Sequence, residues 1–227
     1  MPRKLLELAS IESPFVWRTK YALAHKGLAY ESERVSFIDI PKTCDGRHAT
    51  VPVLIEEDGT EICDSWDIAA YLDDTYPDTP ALFSGTEYER AKEIDSLLGQ
   101  HGFPAFFPLY IGDVLAKLDP ENAAYFRATR EERFGATIEQ ISGNRDAVLP
   151  DARAAIGPLR TEIGKSNWLH GDAPGYGDYI VLAFFAWIKD AATTPPLTAG
   201  DPLIDYIERG FALHGGIGGD LSGGPLA

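Results

Sequence analysis

One segment constrains the fold more than any other: VPVLIEEDGTEICDSWDIAAYLDDTYP, from Val51 to Pro77. Two short apolar runs flank Asp58-Gly59, a dipeptide favoured in tight hairpin turns, so the segment predicts two antiparallel strands. The apolar positions that follow recur at helical spacing until Pro77 ends the pattern. A hairpin followed directly by an amphipathic helix requires a sheet on which that helix can pack.

The residues before this hairpin supply the rest of such a sheet. Lys4 to Leu8 (KLLEL) predicts a strand, Pro14 to Lys26 a helix closed by Gly27, and Tyr30 to Val35 a second strand. The order strand, helix, strand, hairpin, helix predicts a small α/β domain with a mixed sheet.

The pattern changes after a segment from Pro77 to Gly85 that holds two prolines and a glycine and is typical of a linker. We place the domains at residues 1–79 and 89–227, with residues 80–88 as the connection. Beyond it the apolar residues recur only at helical spacing, so the second domain is predicted to be all α-helical. The predicted helices centre on Ala91, Ile94 and Leu98; on Phe126, Phe134 and Ile138; on Ala152, Ile156, Leu159 and Ile163; on Tyr176 to Asp190; and on Leu203, Ile207 and Phe211. A glycine-rich tail from Gly215 is predicted to be mobile.

The charge balance excludes several classes of partner. With 35 acidic against 20 basic residues, the formal charge is −15. A nucleic-acid-binding protein needs a basic face, and so does a protein that docks on an anionic membrane. The two cysteines, Cys44 and Cys63, form no metal-binding spacing and no disulfide framework. We therefore expect a cytoplasmic protein without a metal, a nucleic-acid partner or a membrane partner.

Three short segments have features typical of ligand-binding sites. Ser13 and Pro14 precede the first helix, where a serine caps the helix or donates its hydroxyl to an anion such as a thiolate. Asp64 and Ser65 lie between a strand end and a helix start, where free N–H groups bind carboxylates or a side chain caps the helix. Pro52 stands inside a strand pattern, which indicates either an ordinary edge strand or a cis bond that turns the Val51 backbone toward an extended ligand.

Together these features resemble the cytosolic glutathione transferases over nearly the whole chain. Within that family, the segments SPFVWRTKYAL, DSW-IA-YLD--YPD and TPPLTAGDPL-D-I-RGF are most similar to bacterial glutathione-dependent β-etherases and fungal etherase-type (FuA) transferases. The resemblance implies a thioredoxin-like N-terminal domain that binds glutathione, an all-α C-terminal domain, no metal and a homodimer. Glutathione would act as the co-substrate, and a small hydrophobic electrophile would be its acceptor.

The resemblance also assigns roles to individual residues. Ser13 matches the position that stabilises the glutathione thiolate, with Ser10 as the alternative. Val51, before a cis Pro52, matches the residue that pairs with the cysteinyl backbone, and Asp64 with Ser65 matches the pair that binds the γ-glutamyl group. The basic side chain for the glycyl carboxylate stays open among Lys42, Arg47 and His48.

The acceptor pocket is expected between the domains, where ligand clefts commonly form. Candidate wall residues are aromatic and flank Ser13 or follow His101, although the same rings also suit a helical core: Phe15, Trp17, Phe103, Phe106, Phe107 and Tyr110. The sequence thus predicts a glutathione transferase, with possible cleavage of β-aryl ethers. Two alternatives stay open: a non-catalytic carrier of hydrophobic ligands, and a thiol–disulfide reductase, which would need cysteine in place of Ser13.

Overall fold

A four-stranded mixed sheet forms the N-terminal part of the computed structural model, which describes residues 2–219 and 224–227. The strands are β1 (Lys4–Leu8), β2 (Glu31–Val35), β3 (Val53–Ile55) and β4 (Glu61–Cys63), in the spatial order β2-β1-β3-β4. β1 runs parallel to β2 and antiparallel to β3, and β3 is antiparallel to β4. This is the mixed sheet of a thioredoxin-like domain, as predicted.

The hairpin and the two helices of this domain follow from local sequence. Val53 pairs with Cys63 across the hairpin, and Gly59 adopts a φ of +89° in its turn, which favours glycine. Helix α1 (Pro14–His25) begins at Pro14 behind the Ser13 cap. Helix α2 (Ser65–Thr75) begins behind Asp64 and packs its apolar side toward α1 and β4. A 3₁₀ segment from Ile40 to Gly46 connects β2 to the hairpin.

The second part of the chain is helical, as predicted. Its first helices are α3 (Glu87–Leu97), which starts inside the segment predicted as connection, and α4 (Phe103–Ala116), joined to α3 by a single π-helical turn. The remaining helices are α5 (Pro120–Phe134), α6 (Ile138–Ser142), α7 (Arg145–Ala155), α8 (Gly157–Ile163), α9 (Tyr176–Ala191), α10 (Pro202–Phe211) and α11 (Leu213–Gly216).

Two predicted helices are each divided in the structure. Gly135 adopts a φ of +65° and ends α5, so Ile138 belongs to the next helix, α6. Ile156 leaves the helical region, with ψ at 15°, and separates α7 from α8. Apolar spacing alone missed both breaks because the buried positions keep their period across them.

Helix α9 forms the centre of the molecule, and nearly all its side chains are buried, as its apolar sequence predicts. Asp178 closes its N-terminus by accepting hydrogen bonds from the N–H groups of Gly175 (2.9 Å) and Leu169 (2.8 Å) and from the hydroxyl of Tyr206 (2.5 Å). Burial raises the pKa of this carboxyl above its usual value.

The predicted mobile tail is partly ordered. Leu226 is buried, and its carbonyl oxygen accepts a 2.9 Å hydrogen bond from the N–H of Leu197. The part of that prediction that falls on residues 220–223 lies outside the described residues. None of the described helices has both the length and the apolar character needed to cross a bilayer.

An ionic contact between α1 and α3 connects the two domains. Arg18 is almost fully buried and donates from Nη2 to Asp95 Oδ1 of α3 at 2.7 Å. The other oxygen of Asp95 accepts a 2.7 Å hydrogen bond from the indole N–H of Trp66 on α2. A single carboxylate therefore holds α1 and α2 against the first helix of the second domain.

Removing this carboxylate should destabilise the protein strongly. Asp95→Asn leaves the buried guanidinium of Arg18 without a counter-charge, and we expect the free energy of unfolding to fall by about 3 kcal/mol. The matched control is Glu93→Gln, which removes an exposed pair with Arg90 on the same helix and should cost less than about 1 kcal/mol. Urea denaturation of both variants measures the difference, and equal effects would show that Asp95 does not hold the domains together.

Candidate active site

A cavity of about 800 Å³ opens between the start of α1 and helices α4 and α5. Of the six aromatic residues proposed for the acceptor pocket, Phe15, Phe103 and Phe107 line it. Phe15 stacks on Phe103 with ring centroids 5.9 Å apart, and Phe107 stacks on Trp187 at 5.8 Å and on Phe134 at 5.9 Å. The wall therefore suits a flat aromatic ligand.

The other three predicted wall residues lie elsewhere, and the prediction is corrected at these positions. Phe106 and Tyr110 are fully buried in the helical core, and neither lines the cavity. Phe106 and Tyr110 lie four residues apart on one face of α4. Phe103 and Phe107 lie four residues apart on another face. The helical period therefore directs one pair to the core and the other pair to the cavity. Trp17 also points into the core, and Trp187 of α9 supplies the tryptophan of the wall.

Ser13 stands at the cavity wall, at the mouth of α1. Its Oγ accepts a 3.2 Å hydrogen bond from the N–H of Phe15, so the serine caps the helix as predicted. A hydroxyl that accepts one bond still has its proton to donate, and the half-buried side chain faces the cavity. Ser10 is exposed and is not among the cavity-lining residues.

Glu12 lies directly beside Ser13 and belongs to a buried charged cluster with Glu7 and Lys20. Lys20 Nζ lies 2.6 Å from both Glu12 Oε2 and Glu7 Oε2, and Glu12 Oε1 accepts a 3.1 Å bond from the N–H of Ser13. Asp190 of α9 accepts the N–H of Glu12 at 3.3 Å. Two buried carboxylates thus share the Lys20 ammonium group, and Arg34 Nε lies 3.4 Å from Glu7 Oε1. Burial together with Glu7 raises the pKa of Glu12 to about 7 despite the lowering effect of Lys20.

The peptide bond between Val51 and Pro52 is cis, and Val51 lines the cavity. Pro52 O accepts a 3.4 Å bond from the N–H of Asp64, which brings this strand edge next to the start of α2. Within the described residues, the backbone N–H and C=O of Val51 make no hydrogen bond. They are free to pair with an extended peptide ligand.

Asp64 and Ser65 lie at the start of α2, outside the apolar cavity. Asp64 accepts a 2.7 Å bond from the N–H of Trp66 and adopts a φ of +80°, a strained value for a residue with a side chain. Ser65 is 1% exposed, and within the described chain its Oγ has no hydrogen-bond partner. An unpaired buried hydroxyl at a helix N-terminus is a vacant donor for a ligand carboxylate.

The three basic candidates all lie on the connection before the cis proline, and each contacts a carboxylate. Lys42 pairs with Asp39 at 2.9 Å. Arg47 donates to both oxygens of Glu61, and His48 Nε2 lies 3.1 Å from the same carboxylate. The Arg47 guanidinium holds the pKa of Glu61 down, at about 2. None of the three basic residues lines the cavity.

Glu61 also belongs to the one group of metal-ligating atoms in the described part of the chain. Potential ligand atoms of Cys44, His48 and Glu61 lie within 4.8 Å of one another. Arg47 already pairs with the carboxylate of this group, and burial raises the pKa of the Cys44 thiol, which disfavours the thiolate that binds a metal. The observed contacts therefore favour a salt-bridged cluster at this position.

Comparisons with known proteins identify the family of this chain. The chain matches the glutathione S-transferase N-terminal domain over residues 12–75 and the C-terminal domain over residues 92–195. It is 31% identical to glutathione transferase GSTFuA2 from Phanerochaete chrysosporium, with a TM-score of 0.72 over 96% of this chain and 94% of that one. For GSTFuA3 of the same fungus the identity is 28% and the TM-score 0.74, over 95% and 92% of the two chains.

The chain belongs to the glutathione S-transferase family. A further relative is the glutathione S-transferase-like protein ustS of Aspergillus flavus, 29% identical over 76% of this chain and 72% of that protein. A transferase of Ceriporiopsis subvermispora solved in complex with glutathione has a TM-score of 0.78 at 24% identity over the full length of both chains, which shows a shared fold. The predicted closeness to the FuA-type transferases is confirmed.

The structure of this transferase reveals polar cavity residues that the sequence did not single out. Glu12 lines the cavity beside Ser13, and Arg130 and Arg133 line it from α5. A signal was present for the arginines, because Phe126, Arg130 and Phe134 recur at helical spacing and therefore share one face. Glu12 carried no signal, since an acidic residue before a helix is common.

Glu12 should make the stability of this transferase depend on pH. In the folded state the pKa of the Glu12 carboxyl is raised from 4.5 to about 7. Its contribution to the free energy of unfolding is therefore fully present below pH 4.5 and is lost as the pH rises through 7. We expect the free energy of unfolding of the wild type, relative to Glu12→Gln, to fall between about pH 5 and pH 8.

The matched control is Glu89→Gln, which neutralises an exposed glutamate on α3. Its difference from the wild type should stay flat over the same pH range. Urea denaturation at several pH values measures both differences. A flat difference for Glu12→Gln as well would refute the raised pKa.

Proposed function

We propose that this transferase binds glutathione in an extended form and activates its thiol at Ser13 for attack on a hydrophobic, aromatic electrophile. The observation that carries the proposal is the position of the Ser13 hydroxyl. It stands at the wall of an aromatic cavity, with its oxygen held by the N–H of Phe15 and its proton free to donate. A hydroxyl donor at a helix N-terminus stabilises a thiolate and lowers the pKa of the bound thiol.

Two further features support the binding of glutathione. The unpaired backbone groups of Val51 suit the main chain of the cysteinyl residue, whose side chain would then lie by the cavity. The unpaired hydroxyl of Ser65 and the start of α2 suit the γ-glutamyl carboxylate, and the exposed carboxylate of Asp64 suits its ammonium group. Lys42, Arg47 and His48 stay candidates for the glycyl carboxylate.

The acceptor chemistry follows from a thiolate that faces an apolar, aromatic wall. The sulfur forms a bond to an electrophilic carbon of the acceptor, and the leaving group departs with its electron pair. In a β-aryl ether the broken bond is C–O, and the aryloxide takes up a proton to leave as a phenol. The predicted etherase activity is one case of this substitution, and the relationship to the FuA-type transferases supports testing it.

The two alternatives differ from this proposal in testable ways. A thiol–disulfide reductase needs a cysteine at the cavity, and neither Cys44 nor Cys63 is among the cavity-lining residues. A carrier would bind glutathione and aromatic ligands without consuming either. A glutathione-affinity column followed by turnover assays with chlorodinitrobenzene and an aryl ether separates the carrier from the enzyme. The homodimer and the cytoplasmic location stay predictions.

Ser13→Ala should disable the chemistry while glutathione still binds. We expect the pKa of the bound thiol to rise by about one to two units and turnover to fall about tenfold or more, because the thiolate loses its hydroxyl donor. Thiolate absorbance as a function of pH, with steady-state kinetics, measures both effects. Ser13→Thr, which keeps a hydroxyl and a cap, should restore most of the activity. If Ser10→Ala impairs turnover and Ser13→Ala does not, the catalytic hydroxyl belongs to Ser10.

Ser65→Ala should separate binding from stability. We expect the Kd for glutathione to rise about tenfold, because a hydrogen bond to a charged carboxylate is lost. The free energy of unfolding should not fall, since the removed hydroxyl has no hydrogen-bond partner among the residues that the structure describes.

Ser142→Ala is the matched control, because the buried Oγ of Ser142 in α6 also lacks a hydrogen-bond partner in the described part of the chain. It should leave both quantities near their wild-type values. Isothermal titration and urea denaturation give the two measurements. An unchanged Kd in Ser65→Ala would remove Ser65 from the glutathione site.

A further inference from the structure

The inner face of α5 carries two arginines into the aromatic cavity. Arg130 and Arg133 line the cavity together with Phe37, Phe126 and Phe134. The Arg130 guanidinium carbon lies 4.3 Å from the ring centroid of Phe126 and 5.4 Å from that of Phe37. Arg133 lies over the ring of Phe134, at 5.7 Å. Two cations therefore face a space whose walls are otherwise mostly apolar.

Neither guanidinium has a counter-ion among the described residues. Arg130 donates one hydrogen bond, from Nη1 to Thr129 Oγ1 at 2.8 Å, and no carboxylate of residues 2–219 or 224–227 lies within 4 Å of Arg130 or Arg133. Burial lowers the pKa of Arg130, and the positive charge of Arg133 lowers it further. A half-buried charge without a partner is costly to keep in a folded protein.

The rest of the chain makes this pair unusual, because acidic residues outnumber basic ones by 35 to 20. On the same helix, Arg127 pairs with Glu131 and Glu139, both at 2.8 Å. Arg153 and Arg209 donate to backbone carbonyl oxygens. The other described arginines each contact a carboxylate within 4 Å: Arg3, Arg18, Arg34, Arg47, Arg90, Arg145 and Arg160.

Resting on the function proposed above, we propose that the acceptor substrate is an aromatic anion whose carboxylate is bound by Arg130 and Arg133. A planar guanidinium matches a carboxylate through two parallel hydrogen bonds, and the aromatic wall takes the ring. The glutathione thiolate would place a negative charge beside Ser13, which lines the same cavity. Repulsion from that end and attraction to α5 orient the substrate, with its anionic group away from the sulfur.

A matched pair of acceptors tests the proposal. One is the chlorodinitrobenzoate whose carboxylate stands para to the chlorine, and the other is its neutral carboxamide. In both reactions a C–S bond forms, the C–Cl bond breaks, chloride leaves with the electron pair, and the thiol proton passes to solvent. The ratio of kcat/KM for the carboxylate to kcat/KM for the carboxamide isolates the recognition of charge, because any effect on glutathione cancels.

We expect this ratio to fall about tenfold in Arg130→Gln and in Arg133→Gln, and further in the double variant, mainly through KM for the carboxylate. Arg127→Gln is the matched control, because it removes a paired arginine from the same helix outside the cavity, and its ratio should equal that of the wild type. Arg133 is exposed, so its variant tests the proposal even if Arg130→Gln folds poorly. Arg130→Lys, which keeps the charge but loses the planar fork, should recover part of the ratio.

A ratio that stays at the wild-type value in all the arginine variants would overturn the proposal. A rise in KM for glutathione with no change in the ratio would also overturn it, since the arginines would then bind the co-substrate. If the wild type conjugates neither compound, the proposed function fails. The inference is then tested by binding alone, with the Kd of each compound measured by quenching of tryptophan fluorescence. The ratio of the affinity for the carboxylate to the affinity for the carboxamide should fall in the arginine variants, and a ratio that stays at the wild-type value would overturn the inference.

Discussion

The architecture depends on one carboxylate that is shared across the domain boundary. Asp95 of the first C-terminal-domain helix accepts from Arg18 of α1 and from the indole of Trp66 on α2. Because Arg18 is buried, its charge requires this partner, and the pair holds α1 against the helical domain. That position places Ser13 at the edge of the cavity. A second link, the 2.6 Å bond from the Tyr176 hydroxyl to Ser65 O, fixes the start of α2 against the central helix.

Polar groups and aromatic side chains occupy different parts of the candidate site. Ser13, Val51 and Ser65 present groups left unpaired or only partly paired by the protein, as expected where a peptide ligand completes the hydrogen bonding. The α5 wall of the aromatic cavity carries two arginines that have no counter-ion among the described residues. Behind Ser13, by contrast, the buried carboxylates of Glu7 and Glu12 contact the cations of Lys20 and Arg34. Charge is thus unevenly distributed around one ligand space.

Much of the fold and part of the site could be predicted because their signals are local. Asp58-Gly59 forms its turn within a few residues, and a proline-led helix such as α1 begins at its own cap. The sequence could not divide the aromatic residues from Phe103 to Tyr110 between core and cavity, because an aromatic ring suits either environment. Only the packing of α4 decides which side of the helix meets the core. The breaks at Gly135 and Ile156 were missed for a related reason, since an apolar period does not record the direction in which a helix points.

The sequence by itself determined the order of strands and helices in the first domain, the helical character of the second, the capped start of α1 and the negative net charge, because each is encoded in neighbouring residues or in composition. It also determined the membership of the glutathione transferase family, which motifs carry. The tertiary structure alone decided which groups share the cavity. Glu12, Arg130 and Trp187 come from distant parts of the chain and meet there only because α1, α5 and α9 pack around one space. Whether each charge finds a partner is likewise a property of that packing, since long-range contacts bring a carboxylate to Arg18 and bring none to Arg130 within the described residues.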